Sequence, residues 1–537
     1  MDSASMQNRG FSPSWLHILV VVLLVLGLFF RFANLDRKVY WHDETITSMQ
    51  ASGYTGAEVR QDVFDGNVLT VESLQKYQRP NPEKMPLEVI NSFAAHDPLH
   101  TPFYYTALRF WMQGFGSSVT AIRSFSAVVS VLASICMYWL CWELFESPLI
   151  AWMGVVLLAV SPFQVLYAQE AREYSLLAVE TLLSSAALLR AMRLGRKRSW
   201  GLYSITLVLG IYSHLFFSLV AIGHGLYAIA LNGLKGYKTI VAYLLASLAG
   251  LVCFVPWIWV ILTHLPKAQK SISWTRRATD EFSFIVKWWT RNLAHVFVDL
   301  DPAYDFKDAL GRDDPFLIPL VLLLVGYALY FLCRHTPKRV WLFLLTLIGV
   351  TALALMLPDV IAGGRRSLVA RYWTPSYLGI QIAVAYLLAT QLNTISVPVW
   401  RQRFWQGVVV VLISGGVASC AISSQANAWW NKHINYYFPQ AAAIVNQTER
   451  PLVVSDDNRV ANALALSYLL APQTQLLLGP QLDPARFLTE EPEFSDIFLL
   501  NCSPGLRDRI QSSNRYTLKP LANNYGLDLR KLVEQTP

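Results

Sequence analysis

Residues 14–47 read SWLHILVVVLLVLGLFFRFANLDRKVYWHDETIT, an apolar run followed closely by two adjacent acids, Asp43 and Glu44. A transmembrane helix needs about 20 mainly apolar residues, and no small-residue cleavage site follows this run. We therefore expect residues 14–33 to form an uncleaved first transmembrane helix. The two acids then lie just beyond its end, in the first loop outside the membrane.

The composition of the whole chain favours a membrane protein. Of its 537 residues, 54% are hydrophobic and 15% are charged, whereas soluble domains carry about 25% charged residues. The net charge of +8 comes from basic residues in short clusters between apolar runs, a pattern typical of membrane loops rather than of nucleic-acid binding. A soluble enzyme, a disordered chain and a collagen-like fibre are therefore excluded. The six cysteines are scattered and indicate neither a disulfide framework nor a zinc site.

Eleven apolar runs predict an all-α polytopic membrane protein with about eleven transmembrane helices. The runs cover residues 14–33, 118–141, 149–168, 174–193, 200–216, 217–233, 239–262, 314–333, 340–357, 372–391 and 405–424.

Residues 102–116 (PFYYTALRFWMQGFG) form a shorter apolar segment that contains Arg109. If this segment does not span, the later basic loop clusters all fall on one side of the membrane together with Arg9. The positive-inside rule therefore predicts an interfacial helix in the first outer loop and a cytoplasmic N-terminus. We expect a multi-pass protein of a bacterial inner or plasma membrane, with its C-terminal part outside the cytoplasm.

The composition changes near residue 425 to a soluble mixture of both charges. The runs PLVVSD, TQLLLG and DIFLLN, which start at residues 451, 474 and 496, predict short buried strands. Residues 461–470 and 506–513 predict helices between or after these strands. We expect a transmembrane domain over residues 1–424 and a small extracytoplasmic α/β domain over residues 425–537.

Asp43 and Glu44 are the first candidates for chemistry. Adjacent side chains on a helix point about 100° apart, so the two acids are expected to hold different roles rather than to share a proton. One interpretation is that they cap the following helix or are solvated. The other is that a partly desolvated carboxylate beside Trp41 and His42 gains the basicity that a general base needs.

Two further outer segments carry charged candidates. Residues 169–174 (QEAREY) place Glu170, Arg172, Glu173 and Tyr174 in one tight turn. This turn either anchors two helices through ion pairs, or Arg172 binds a phosphate while Glu170 or Glu173 holds its guanidinium in place. Residues 358–371 hold three arginines against a single aspartate. This excess violates the positive-inside rule and indicates an anionic headgroup or phosphate as the partner of these arginines.

Histidines mark two other outer segments. Residues 95–105 (AHDPLHTPFYY) contain His96, Asp97 and His100, and His214 follows a tyrosine and a serine in an outer turn. No further strong ligand stands at a recognised metal spacing, so turn chemistry is favoured over a metal site for the first segment. A hydrogen-bonded structural role is favoured for His214.

Four motifs taken together resemble the GT-C superfamily of membrane glycosyltransferases, in particular the family 39 group of protein O-mannosyltransferases and aminoarabinose transferases. They are HDET at residues 42–45, HDPL at 96–99, SPFQVLYAQEAREY at 161–174 and ARYWTP at 370–375. The resemblance covers about residues 14–391. The chain departs from the family pattern at Asp97–Pro98, where two prolines are usual, and in a longer, more polar stretch over residues 53–95.

The resemblance implies transfer of a hexosyl or pentosyl group from a polyprenyl-phosphate-linked donor to an acceptor hydroxyl at the outer face, by a single inverting displacement. The acceptor would be a lipid, a glycan or a protein. The resemblance makes Asp43 the catalytic acid position, with Glu44 as its usual neighbour. The residues that would hold the donor phosphate are Arg371, Arg365, Arg366 and Arg172. The candidates for the substrate pocket are His96, Asp97, His100, Glu170, Tyr174, His214 and Tyr372. No cofactor is expected, and a divalent metal is compatible with this chemistry but not indicated by the sequence.

Two other classes of protein remain open from the sequence. A transporter or flippase would move a lipid-linked substrate without chemistry, but such folds usually show internal repeats and helices broken at mid-membrane. Here no repeat relates the two halves, and the polar clusters gather at one face. A non-catalytic anchor for the tail would leave the outer arginines unexplained.

Overall fold

The computed structural model describes residues 14–233, 236–276, 281–301, 316–394, 398–480, 482–488, 494–512 and 515–534. Within these ranges the chain is predominantly helical, which confirms that part of the expected fold class. The first nine helices, α1 to α9, are Ser14–Phe32, His42–Ala51, Gly56–Val63, Val71–Gln75, Pro86–His96, Phe103–Phe115, Val119–Phe145, Pro148–Ala159 and Pro162–Ala168. Helices α10 to α19 are Tyr174–Leu194, Lys197–Ser213, Phe217–Asn232, Tyr237–Thr263, Leu265–Ser271, Phe282–Ala294, Leu317–His335, Lys338–Ala362, Thr374–Asn393 and Val399–Gln425. Helices α20 to α23 are Phe438–Val445, Val460–Ser467, Ala485–Leu488 and Pro504–Gln511.

Six helices of the described ranges are long and apolar enough to cross a membrane, or seven if the bent pair α8 and α9 is one span. Two shorter apolar helices cover His17–Phe32 and Phe217–Asn232. The remaining predicted spans are also helical. One of them, α18, is buried along almost its whole length and forms the centre of the bundle. The count of eleven spans stays a prediction.

The span expected over residues 149–168 is not continuous, because the chain bends by 59° between α8 and α9. Pro162 lacks a backbone N–H and begins α9 after Ser161, whose hydroxyl caps that helix. Arg31 of α1 donates to the carbonyls of Leu158 and Ala159 at 3.1 and 2.8 Å. A buried guanidinium thus satisfies carbonyl groups that the break leaves outside the helical ladder.

Residues 102–116 do form a separate short helix, α6. Its 13 residues reach about 20 Å at 1.5 Å per residue, which is too short to cross the apolar core. Gly116 ends the helix with a φ of +91°. Arg109 is buried and donates to the carbonyls of Ala51, Asn81 and Lys84, so it fastens the first outer loop to this helix.

Helix α17 runs to Ala362, five residues beyond the predicted end of that span at residue 357. Pro358 lies inside the last turns of this helix, and two glycines after Ala362 then allow the chain to leave sharply. Gly363 and Gly364 have φ values of +72° and +151°. The arginine-rich segment is therefore a shorter loop than the sequence indicates.

A six-stranded mixed sheet with the order β1-β3-β2-β4-β6-β5 lies beside the helical bundle. Strands β1 to β6 are Val68–Thr70, Pro451–Ser455, Gln475–Leu478, Asp496–Leu500, Tyr516–Asn524 and Leu527–Glu534. β2, β3 and β4 lie at the three runs from which strands were expected, and they pair in parallel. The hairpin β5–β6 was not expected. Neither was β1, which comes from the first outer loop and pairs antiparallel with β3. The predicted division of the chain at residue 425 stays a prediction.

Candidate active site

Asp43 and Arg371 meet in a cavity beside the end of the helical bundle. Asp43 lies in the first turn of α2, and Arg371 lies in a 3₁₀ turn, Ala370–Trp373, that leads into α18. Arg371 Nη2 donates to Asp43 Oδ2 at 2.8 Å, and its Nε donates to the hydroxyl of Tyr174 at 3.0 Å. The two residues that the sequence motifs single out most strongly are therefore direct neighbours.

The cavity has a volume of about 370 Å³. The side chains of Asp43 and Arg371 keep 19% and 11% of their exposure, so both remain accessible from it. The candidates that line this cavity are Asp43, Asp97, His100, Arg172, Tyr174, His214, Arg371 and Tyr372.

The pKa of Asp43 differs from the sequence-based expectation. Burial alone would raise it, as expected for a general base, but the nearby Arg371 and Arg172 guanidinium groups outweigh burial and lower the pKa to about 2. The expectation of raised basicity is thus wrong for the protein without substrate. Asp43 is a stable carboxylate held by a cation.

Arg172 and Glu173 form the centre of the charged turn. Arg172 Nη2 donates to Glu173 Oε1 at 2.9 Å, and its Nη1 donates to Thr47 at 2.9 Å. The pKa of Glu173 is lowered, because Arg172 offsets the effect of burial. Of the two acids expected to hold the guanidinium of Arg172, Glu173 is therefore the one that contacts it at the cavity wall.

His100 and Asp97 form an ion pair at 2.9 Å on another wall of the cavity. Burial opposes charge on both side chains, yet the pairing raises the pKa of His100 and lowers that of Asp97. His96 lies apart from this pair, because it is exposed on α5 and its Nδ1 contacts the carbonyl of Ser92 in the same helix. The prediction that His96 lines the pocket is not met by this geometry.

A second cavity of about 330 Å³ adjoins the first one and shares Arg371 and Trp274 with it. Its wall is more aromatic and includes Trp288 and Trp430, and Arg365 lies there as the second of the predicted phosphate ligands. Arg366, which begins the short 3₁₀ turn Arg366–Leu368 directly after Arg365, lines neither of the two cavities.

Glu44 does not face either cavity and is completely buried. Its two oxygens accept from Arg123 Nε and Nη2, both at 2.7 Å, and from Lys432 Nζ at 2.7 Å. The backbone N–H of Ala171 also donates to it, at 2.9 Å. The expectation that Glu44 shares a catalytic role with Asp43 is corrected: it cannot touch a substrate in this geometry, and it fixes the helix that presents Asp43.

Glu170 is also buried, behind the wall of the second cavity. Asn431 donates to its Oε2 at 2.7 Å, and Lys432 Nζ lies 3.9 Å from the same oxygen. Its Oε1 has no hydrogen-bond partner in the described part of the chain. Burial raises the pKa of Glu170 to about 6, although Lys432 opposes the shift. Glu170 thus titrates nearer neutrality than an ordinary glutamate.

The residues that the sequence analysis missed lie mainly in one segment, residues 429–435, which we name the strap. Trp429 and Trp430 both donate their indole N–H to Asp299 Oδ2, at 2.9 and 2.8 Å. The same segment brings Asn431 and Lys432 to Glu170 and Glu44. Its signal in the sequence is the run WWNKH at residues 429–433, which places aromatic and basic residues after the last apolar run, with four residues between the two.

The strap also joins the first outer loop to the tail. Asn435 Oδ1 accepts from the backbone N–H of His42 at 2.7 Å, next to Asp43. Thr45 of the same helix donates to the carbonyl of Ala461 in α21 at 3.2 Å. Asp43 is therefore held between the helical bundle and the tail.

Comparison with a protein-family model gives one match. Residues 99–259 match the family described as dolichyl-phosphate-mannose-protein mannosyltransferase. This stretch includes HDPL only in part, but it contains the whole charged turn from Ser161 to Tyr174. A comparison with curated protein sequences gave no match.

Solved structures resemble the chain over almost its full length. ArnT from Cupriavidus metallidurans bound to undecaprenyl phosphate is 14% identical, with a TM-score of 0.52, and the match covers 97% of this chain and 98% of that one. The apo state of the same ArnT is also 14% identical, with a TM-score of 0.52, and the match covers 96% of this chain and 98% of that one. The archaeal oligosaccharyltransferase AglB from Archaeoglobus fulgidus, in complex with an inhibitory peptide and a dolichol-phosphate, is 11% identical with a TM-score of 0.48, over 96% of this chain and 74% of that one. The similarity to ArnT shows a shared fold. With the family match, it confirms the resemblance to the GT-C superfamily of membrane glycosyltransferases that the four motifs indicate.

Proposed function

We propose that this chain is an integral membrane glycosyltransferase that moves a sugar from a polyprenyl-phosphate carrier to an acceptor hydroxyl, with Asp43 as the base. The observation that carries the proposal is the 2.8 Å contact between Asp43 and Arg371 inside a cavity. A displacement at a carbon bonded to phosphate needs a base for the acceptor and a cation for the leaving group. These two groups are neighbours here.

The reaction would take place in one step. The acceptor oxygen attacks the anomeric carbon of the sugar, and its proton passes to a carboxylate oxygen of Asp43. The bond between the anomeric carbon and the phosphate oxygen breaks, and the lipid phosphate leaves with the electron pair. The configuration inverts because there is a single displacement. Arg371 stabilises the charge that develops on the phosphate.

Arg371 would also switch the basicity of Asp43. Without substrate the guanidinium holds the pKa of Asp43 at about 2, which is too low for an effective base near neutral pH. A donor phosphate would compete for the same guanidinium and weaken its hold on the carboxylate. The pKa of Asp43 would then rise when the donor is in place.

The two adjoining cavities suit the two ends of such a donor. The first contains hydrogen-bonding groups for sugar and acceptor hydroxyls, among them His100 and Arg172. The second combines Arg365 with Trp274 and Trp288, which suits a phosphate and the first apolar units of its lipid. The shared fold with ArnT, which was solved with undecaprenyl phosphate, supports a polyprenyl carrier.

The finer topology belongs to the same proposal: about eleven transmembrane helices, a cytoplasmic N-terminus and an extracytoplasmic tail over residues 425–537, in a bacterial inner or plasma membrane. The direction of helix α10 supports this orientation. Tyr174 begins α10 at the cavity, and Arg193 lies in the last turn of the same helix. The basic loop clusters thus lie at the end opposite Asp43, as the positive-inside rule requires if Asp43 is outside.

The test measures sugar transfer by the purified full chain in lipid vesicles that contain a polyprenyl-phosphate sugar. We expect Asp43→Asn to lower the transfer rate by about a hundredfold or more, because the amide cannot accept the proton, while donor binding persists. Asp36→Asn is the matched control, since Asp36 is an exposed acid on the turn after α1. Full turnover by Asp43→Asn would refute the role of this residue. Movement of the lipid-linked sugar across the bilayer without product would favour a flippase.

A further inference from the structure

The end of the helical bundle that lies opposite Asp43 contains a cavity of about 220 Å³. Five helices contribute to its wall, namely α7, α10, α12, α13 and α17. Helix α7 shows the separation from the candidate active site: Arg123 near its start contacts Glu44, whereas Glu143 near its end lines this cavity. At 1.5 Å per residue the two positions are about 30 Å apart along the helix. The cavity is therefore distinct from the candidate active site.

Two arginines face this cavity, and each already has a carboxylate partner. Arg193 Nε and Nη2 donate to the two oxygens of Glu143 at 3.0 and 2.9 Å, and Glu143 is almost fully buried. Arg339 engages only its Nη2 with Glu146, at 3.0 Å. The side chains of that second pair are 49% and 63% exposed, which makes the pair weak and easily exchanged.

The charges around the cavity do not balance. Arg190 lies over the ring of Trp139, whose indole N–H donates to Glu143, and Lys338 precedes Arg339 on α17. Both are exposed. Four basic side chains thus surround two carboxylates, and the mouth of the cavity attracts an anion.

The wall behind these charges is apolar. It is formed by Leu144, Leu189, Met192, Leu231 and Val340. A small inorganic anion would gain nothing from contact with this apolar wall. A molecule with a charged head and an apolar body would contact both the arginines and the wall, and lipids present both parts at the ends of membrane helices.

We propose that this cavity binds the glycerophosphate head of an anionic phospholipid from the leaflet opposite Asp43. The lipid phosphate would replace Glu146 as the partner of Arg339, while Arg193 would keep its hydrogen bonds to the buried Glu143. The first carbons of the acyl chains would lie against Leu144 and Leu189. This inference is independent of the proposed transfer reaction, because it uses none of the residues around Asp43.

The experiment measures binding of phosphatidylglycerol to the purified full chain in a neutral detergent, by native mass spectrometry and by the rise in the thermal unfolding midpoint. We expect Arg339→Gln to weaken binding about fivefold, the factor for one basic residue near a lipid phosphate. Glu146→Gln should strengthen binding, because it removes the competing carboxylate. Arg403→Gln is the matched control, since Arg403 is an exposed arginine near the start of α19 and does not line the cavity.

Two further binding titrations, one with phosphatidylcholine and one with inorganic phosphate, distinguish a lipid headgroup from free phosphate as the ligand. Phosphatidylcholine should bind more weakly than phosphatidylglycerol, and inorganic phosphate should not displace the lipid. Equal binding of phosphatidylglycerol to the Arg339→Gln, Glu146→Gln and wild-type chains would overturn the site. Displacement by inorganic phosphate at matched concentration would overturn the assignment to a lipid. The unfolding midpoints without lipid show whether each variant folds, and these half-exposed side chains are expected to leave them unchanged.

Discussion

Lys432 of the strap donates to Glu44 Oε2 at 2.7 Å, across 388 positions of the sequence. Arg123 donates to both oxygens of the same carboxylate. One buried carboxylate thus binds two buried cations from distant parts of the chain, and Lys432 also lies 3.9 Å from Glu170. Because Asp43 immediately precedes Glu44 in α2, this network determines where the proposed base lies.

We expect Glu44→Gln to destabilise the protein by about 3–5 kcal/mol, the usual cost of breaking a buried ion pair from one side. The amide would leave the buried charge of Arg123 without a carboxylate and would leave Lys432 with only the 3.9 Å contact to Glu170. Thermal unfolding of the purified chain measures the loss. The double variant Glu44→Gln with Lys432→Met should recover part of it, since one of the stranded charges is then absent. A normal unfolding midpoint together with lost transfer would instead place Glu44 on the substrate.

Arg371 should not tolerate lysine. The guanidinium contacts Asp43 and Tyr174 with two different nitrogens, and a single ammonium lacks this fork. We expect Arg371→Lys and Arg371→Ala both to weaken donor binding, by about tenfold for the loss of one hydrogen bond to a charged group. Equilibrium binding of a polyprenyl-phosphate sugar measures the effect. Arg366→Gln should bind the donor like wild type, because Arg366 lines neither cavity; a loss in that variant would contradict the assignment.

We expect the raised pKa of Glu170 to make the free energy of unfolding depend on pH. Burial raises its folded-state pKa to about 6 from the ordinary 4.5, so the folded protein binds its proton more tightly than the unfolded chain. This contribution is complete below the unfolded pKa and is lost as the pH rises through about 6. Between these two values Glu170 contributes a fall in the free energy of unfolding with rising pH. Glu170→Gln should remove that contribution, so its free energy of unfolding should fall less, or rise more, over this pH range than that of wild type; an identical slope in both proteins would contradict the assignment to Glu170.

We expect Asp299 to hold the strap in place rather than to contact the substrate. Its Oδ2 accepts from both Trp429 and Trp430, and an unmet buried donor costs about 1–3 kcal/mol. Asp299→Ala should therefore lower hydrogen-exchange protection over residues 429–435. Asp299→Asn keeps a carbonyl oxygen at that position and should preserve most of the protection. Equal protection in the alanine variant would show that the indole contacts do not hold the strap.

The approach of Asp43 to Arg371 could be expected from the sequence, because two independent signals indicated one outer site. The acids follow the first apolar run, and the arginines violate the charge rule in a late loop. The same reasoning could not separate Asp43 from Glu44. Only the packing of Arg123 and Lys432 shows which acid faces the cavity and which is buried.

Other features depend on contacts that local patterns do not encode. At the bend between α8 and α9, the freed carbonyls are satisfied by Arg31 of another helix. Apolar periodicity alone gave a continuous span, since residues 149–168 are apolar on both sides of Pro162. The strand β1 has only three residues, too few for an alternating pattern to be recognised.

The pairing of β1 with β3 has a consequence for biosynthesis. Chains grow from the N-terminus and their parts fold in that order, but Val68 to Thr70 cannot find their partners until residue 477 has been made. Lys432 likewise reaches Glu44 only after the long apolar helices of the described bundle, the last of which ends at Gln425, have left the ribosome. The surroundings of Asp43 are thus completed last, and a nascent chain that stalls within the bundle would carry its acid in an unfinished pocket.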